Sequence, residues 1–261
     1  MNGTTVLAAA TLLVFSLLAG AEVRTKEVTY TQGDTELQGF FAWDAEAKGK
    51  RPGVLVVHEW WGHNQHARNQ AIRLAKDGYV GLAVDMYGKG KVTTHPPEAQ
   101  SFAAEATKDP ALVKARFLAA LDLLKKDPHV DPDRVAAIGY CFGGGVVLGM
   151  ARAGVDLDAV VSFHGAIATQ QPAMAGMVKA QVLVLNGADD AMITAEQIDG
   201  FKKEMAAAGA KYEFVNLPGA KHSFTNPDAD KVGMPNLAYN AEADKASWAA
   251  MLKLLRAVFG Q

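Results

Sequence analysis

The stretch from Arg134 to Gly145 constrains this chain more than any other. It reads Arg-Val-Ala-Ala-Ile-Gly-Tyr-Cys-Phe-Gly-Gly-Gly: a short apolar run, a Gly-x-Cys-x-Gly-Gly turn, then the apolar start of a helix through Val146, Val147, Leu148 and Met150. A strand that reverses sharply into a helix holds residue 141 in strained backbone geometry. Gly139 and Gly143 flank it because a Cβ there would collide with the neighbouring elements. The turn lifts the Cys141 side chain clear of the sheet edge and sets it at a helix N-terminus, whose partial positive charge favours a thiolate. Cys141 is the only cysteine, so no intrachain disulfide can form. Two plainer readings compete with a nucleophile. A lone cysteine in an apolar stretch is often a small buried hydrophobe, and glycine-rich turns into helices also bind phosphates. Against the second, Tyr140 and Cys141 put bulk where a dinucleotide fingerprint needs its second glycine, and the Lys-Ser or Lys-Thr pair of a P-loop is missing.

The 261 residues, 49% hydrophobic and 21% charged, suffice for one large α/β domain with a full core. A net charge of −2 without a basic block or an aromatic-interleaved Lys/Arg stripe argues against a nucleic-acid partner. Residues 1–21 read as a signal peptide. Val6 to Leu18 is almost unbroken apolar sequence, too short to span a bilayer, and Ala19-Gly20-Ala21 is a small-x-small cleavage signal. The expectation is cleavage after Ala21 and export, in a bacterium to the periplasm, with no membrane association afterwards. No Lys or Arg precedes the apolar run, so an uncleaved N-terminal anchor is the alternative. Residues 22–261 are then one domain, monomeric or homodimeric.

Arg24 to Thr31 and Glu36 to Trp43 alternate polar and apolar about Gln32-Gly33-Asp34, which predicts an antiparallel hairpin. Buried strands are expected at Val54–His58, Tyr79–Val84, the run before Cys141, Ala159–Phe163, Val182–Leu185 and Tyr212–Leu217. Helices are expected at Gln65–Lys76, in two pieces over Pro96–Lys126 divided at Asp109-Pro110, after Cys141, at Ile193–Ala208 and at Ala246–Phe259. Continuous apolar strands alternating with helices mean a mostly parallel, doubly wound α/β sheet with helices on both faces. In such sheets ligands sit beyond the carboxyl ends of the strands.

The strand ends carry the chemistry. His58-Glu59-Trp60-Trp61-Gly62, Asp85-Met86-Tyr87-Gly88-Lys89, Cys141, His164-Gly165, Asn186-Gly187-Ala188-Asp189-Asp190 and Gly219-Ala220-Lys221-His222 follow successive strands. Cysteine, then aspartate, then histidine is the chain order of a hydrolase triad on this kind of sheet. His222 would take the thiol proton and return it to the leaving group. A carboxylate would hold its tautomer, and thiolate attack on an ester carbonyl would give an acyl-enzyme. Backbone N–H groups of Phe142 and of the Glu59-Trp60 loop are the candidate oxyanion donors. Either Asp189 or Asp190 can orient His222, and the other can cap the helix that begins near Thr194. His58, His63 and His66 straddle a strand-to-loop boundary and lack the helical His-Glu-x-x-His spacing, so neither a metal nor another cofactor is expected.

These residues resemble the dienelactone hydrolase family of α/β-hydrolases from about Thr25 onward. The resemblance is carried by His58-Glu59-Trp60-Trp61-Gly62, Asp85-Met86-Tyr87, Gly139-Tyr140-Cys141-Phe142-Gly143-Gly144, Gly187-Ala188-Asp189-Asp190 and His222-Ser223-Phe224, in that order. It implies the α/β-hydrolase fold and a cofactor-free hydrolase of small carboxylic esters or lactones, with Cys141, His222 and Asp190 as the triad. It also implies Glu59 as the carboxylate that activates the thiol, and a substrate pocket touching Trp61 and Tyr87. In the archetype two arginines hold a substrate carboxylate, and at those positions this chain has Lys89 and Asn226. Lysine keeps a point charge without the bidentate fork and asparagine carries no charge. The segments Lys89–Pro97 and Pro227–Tyr239 are positioned to reshape the pocket mouth. The same triad acting on a thioester or peptide bond is one rival, although a peptidase would usually carry an additional gating domain. A non-catalytic ligand-binding member of the fold is another.

Overall fold

The protein is described from a computed structural model over residues 21–261. The leader and its cleavage site therefore lie outside the described residues but for Ala21. The chain opens as an antiparallel hairpin, β1 (Val23–Gln32) and β2 (Thr35–Asp44), whose pairing from Val23↔Asp44 to Gln32↔Thr35 closes on Gly33 at φ 55°. Then follow β3 (Arg51–Val57), α1 (Gln65–Lys76), β4 (Val80–Val84), α2 (Pro96–Thr107) and α3 (Pro110–Lys125). Next come β5 (Val130–Tyr140), α4 (Phe142–Arg152), β6 (Ala159–Phe163) and β7 (Gln181–Gly187). The chain closes with α5 (Ala195–Ala207), β8 (Tyr212–Leu217), a short 3-10 turn at Ala229–Val232 and α6 (Ala241–Phe259).

The eight strands form one sheet in the order β1-β2-β4-β3-β5-β6-β7-β8. β2 runs against its neighbours, and from β4 through β8 every pairing is parallel. Parallel neighbours need crossovers, and these place helices on both faces. Ala67, Ala71 and Leu74 of α1 pack with Trp248, Met251 and Leu255 of α6 on one face. Phe117 and Leu124 of α3, Val147 and Met150 of α4 and Phe201 of α5 cover the other. The strands between are apolar without alternation because both of their faces are buried.

Two boundaries differ most from the sequence expectation. β5 begins at Val130, five residues before the apolar run that starts at Val135: Arg51 and Pro52 pair with Val130 and Asp131, then Gly53 jumps to Val135. Pro132, Asp133 and Arg134 are looped out, and proline is tolerated there because no ladder hydrogen bond is asked of it. α6 begins at Ala241 rather than Ala246. Its first turn has no apolar spacing to announce it and is set instead by the Asn240 side chain, which accepts from the Ala243 N–H at 3.0 Å, with Glu242 and Asp244 at the positive end of the helix.

A small third cluster lies over the carboxyl ends of the strands. Trp61, Ala99, Ala229 and Leu237 pack together with Trp60, Val232 and Met234. Bridges from Gly62 to Val92 and from His222 to Leu237 tie in the two segments expected at the pocket mouth.

Candidate active site

The elbow takes its shape from close backbone approach. A Cβ on Gly139 would lie 2.1 Å from the Gly143 carbonyl oxygen, and one on Gly143 would lie 2.3 Å from that of Val57. Gly144 and Gly165 touch each other in the same way, bringing α4 against the end of β6. Cys141 sits between them at φ 52°, ψ −112°, a conformation that an L-residue holds only when its surroundings dictate it. Among the described residues the other two non-glycine residues at positive φ, His164 (40°) and Ser223 (57°), stand at neighbouring strand ends.

His222 donates from Nδ1 to Asp190 Oδ2 at 2.8 Å, with both side chains buried. The second Asp190 oxygen accepts from the Met192 N–H at 2.9 Å. Asp189 is exposed, and the N-cap of α5 is Thr194 with a Thr194–Gln197 capping box, so neither aspartate caps that helix. On its other side His222 meets Cys141. Burial disfavours the imidazolium, but the charge and hydrogen bond of Cys141, together with Asp190, outweigh it and raise the His222 pKa to about 10. Cys141, His222 and Asp190 are thus brought together from three distant parts of the chain.

His164 completes the wall behind His222. Its ring lies edge-on to His222 at 5.2 Å and to Phe224 at 5.1 Å, and its Nε2 shares a 2.8 Å hydrogen bond with the Thr225 hydroxyl. Burial, then the neighbouring His222 and His66, hold it well below the ordinary histidine pKa, so it stays neutral. Nothing in the sequence signalled this role except its place at the end of a strand.

The backbone N–H groups of Phe142 and Trp60 have no carbonyl or side-chain acceptor among the described residues. The loop carrying Trp60 is pinned beside the elbow, where the Gly143 N–H donates to the His58 carbonyl at 3.1 Å. His58 is locked as well: Nδ1 donates to the Glu59 carbonyl (2.5 Å) and Nε2 accepts from the Met86 N–H (3.2 Å). Burial drives His63 down to about 3, leaving a neutral ring. Among the described residues no group of three or more His, Cys, Asp or Glu side chains is placed to hold a metal ion.

Glu59 is buried, and both of its carboxylate oxygens are hydrogen-bonded. Oε1 accepts from the Ser223 hydroxyl at 2.8 Å and Oε2 from the Asn226 amide at 2.6 Å. Asn226 is thus held by Glu59 while lining a cavity with Trp61, and Lys89 is exposed and paired with Glu36 at 3.5 Å on the hairpin. Burial, and then the charge of nearby Cys141, pushes the Tyr87 pKa up, and its hydroxyl donates to the Trp60 carbonyl at 3.2 Å. Trp61 is buried under Ala99 and Leu237. A buried carboxylate satisfied only by neutral donors is sensitive to losing one of them. Asn226→Ala should therefore destabilise the protein by about 2 kcal/mol. In a double-mutant cycle with Glu59→Ala, the combined loss should fall short of the sum by about 1 kcal/mol or more. Additive losses in urea unfolding would show that the pair does not couple.

The model of the dienelactone hydrolase family matches residues 37–259. The chain belongs to that family. A solved dienelactone hydrolase-like promiscuous phosphotriesterase from metagenomic libraries is 40% identical and superposes with a TM-score of 0.86 over 92% of this chain and 99% of its own. A Synechocystis relative provisionally named carboxymethylenebutenolidase is 28% identical over 249 residues, 90% of this chain and 97% of its own. The dienelactone hydrolase of Anabaena variabilis, 23% identical with a TM-score of 0.60 over 88% of this chain and 97% of its own, shares the fold. Membership of the family makes this chain a hydrolase of the lactone and ester class.

Proposed function

We propose that the protein hydrolyses small, uncharged carboxylic esters or lactones through an acyl-enzyme on Cys141. The observation that carries this reading is the strained cysteine set against a buried His222–Asp190 pair. The thiolate adds to the carbonyl carbon, forming a C–S bond and an oxyanion that the Phe142 and Trp60 N–H groups accept. The C–O bond then breaks and His222 gives its proton to the departing oxygen. A water that returns a proton to His222 next attacks the thioester, freeing the acid and the thiolate. Asp190 holds the imidazole with Nδ1 protonated throughout. Glu59 acts on the thiol only after leaving Ser223 and Asn226, which ties its role to substrate entry.

Uncharged substrates are favoured because Lys89 is engaged on the hairpin and Asn226 on Glu59. An anionic substrate would meet the thiolate and Glu59 without an arginine at position 89 or 226 to offset them. The test is a panel of neutral and carboxylate-bearing esters and lactones, with mass spectrometry of enzyme quenched during turnover. Neutral substrates should be turned over faster, and the acyl group should be found on Cys141. An adduct on another residue, or a preference for dianionic lactones, would overturn the reading. The metagenomic neighbour's description makes phosphotriesters the first non-carboxylic compounds to include. We further propose that residues 1–21 direct export and are removed, leaving Glu22 as the N-terminus. N-terminal sequencing of the secreted protein tests this, and an intact leader would favour the anchor.

A further inference from the structure

We infer that the cavity running along α4 away from Cys141 receives the acyl arm of the substrate, and that this arm is an unbranched apolar chain. The inference rests on the acyl-enzyme reading above. The cavity encloses about 620 Å³ between the start of α3, the outer face of α4 and the loop after β6. Its floor is Phe142, Gly145, Gly149 and Ala153. The last three repeat at intervals of four, so they follow one another along one face of the helix. The Gly145 N–H donates to the Cys141 carbonyl at 3.2 Å, which puts the nucleophile at the head of the same row. Phe142, the residue after Cys141, lines the near end of the cavity, so the cavity begins beside the elbow.

Its profile selects the ligand. A Cβ on Gly145 would come into ordinary contact with the Ala166 carbonyl oxygen at 3.5 Å, so the space beside Gly145 is about one carbon wide. A Cβ on Gly149 would meet nothing within 4 Å, so the space opens one turn further on. A branch next to the carbonyl would collide in the narrow part, while a straight chain would pass. Val113, Val146 and Met150 line the cavity with apolar surface, and among the described residues Lys114 is its one charged wall residue. The roof belongs to the stretch 164–180, which has neither helix nor strand. Loops of that length within a compact fold are uncommon except where they serve a ligand. The acyl half is assigned here because His222 must reach the leaving oxygen. His222 stands on the loop after β8, so the alcohol lies toward that loop and the acyl half toward α3.

The test compares acetate and octanoate esters of one alcohol on the wild type and on Gly149→Leu. A leucine there leans back along the helix over Gly145 and fills the passage without entering the core. At about fourfold in kcat/KM per buried methylene, the wild type should prefer octanoate by at least about tenfold. Gly149→Leu should lose that preference through a fall on octanoate of about tenfold or more, with acetate within about twofold. Its melting temperature should not drop, since leucine suits a helix interior better than glycine. If it fails to fold, Ala153→Leu at the far end is the substitute, with the same expectation for octanoate. An equal fall on both esters, or no change on octanoate, would overturn the inference. Should the wild type cleave neither ester, the hydrolase reading fails first, and alkylation decides the cavity separately. Cys141 should then react faster with N-octyl iodoacetamide than with iodoacetamide in the wild type but not in Gly149→Leu. Equal rates would leave the cavity without a ligand.

Discussion

Replacing Cys141 with alanine should lower ester turnover by about ten-thousandfold or more, the scale of losing the nucleophile of a catalytic set that acts as a unit. The fold should survive, because the side chain is only partly buried and its removal opens no cavity in the core. Glycine at the same position separates function from stability more sharply. Cys141 is held at φ 52°, which glycine adopts without penalty, so Cys141→Gly should melt higher by about 1 kcal/mol of stability while being equally inactive. The substitution also reaches His222. With the charge and hydrogen bond of Cys141 gone, its pKa should fall from about 10, as followed by NMR of the imidazole. The imidazole binds its proton more tightly in the folded protein than in the unfolded chain. Its stabilising contribution is therefore complete below about 6.5 and is lost as pH climbs through about 10. In Cys141→Ala that loss should come at lower pH. An alanine variant with wild-type turnover would end the covalent mechanism.

Asp190→Asn should be nearly as damaging, on the order of a thousandfold to ten-thousandfold in kcat, with little change in shape. An asparagine can keep the Met192 N–H bond with its carbonyl oxygen, but its amide then faces His222 Nδ1 at the 2.8 Å contact. The imidazole must accept there, which moves its proton to Nε2. That nitrogen then points a hydrogen at the thiol when the reaction needs a lone pair. The imidazole also loses an anionic partner, so its pKa should drop, and activity should return in part at alkaline pH as the thiol ionises unaided. Asp189→Asn is the control: the side chain is exposed and should tolerate the change. Equal damage at 189 and 190, or damage at 189 alone, would contradict the placement of the triad.

Much of this arrangement was legible in the linear chain. Glycines at 139, 143 and 144 leave no room for any path but the sharp turn, and buried strands betray themselves by uninterrupted Val, Leu and Ile. These signals are local, set by sterics and by burial on both faces. They fixed the α/β class, the elements to within a few residues, and Cys141 and His222 as the groups to watch. The misses at β5 and α6 were places where a bulge or a cap, with no hydrophobic period, set the boundary.

What folding alone decided were distances between strand ends. Asp190 and Asp189 are indistinguishable as letters, and only the turn after β7 buries one against His222 and exposes the other. Glu59 meets Ser223 and Asn226 across more than a hundred and sixty residues, and Lys89 is drawn to a hairpin carboxylate. The strand order, with β4 between β2 and β3, sets which loops become neighbours. A hydrogen bond or ion pair acts over a few ångströms, so its partners are chosen by where the sheet puts them. The residue types and the local turn were written in the sequence; which of them share a proton was settled by the packing of the sheet.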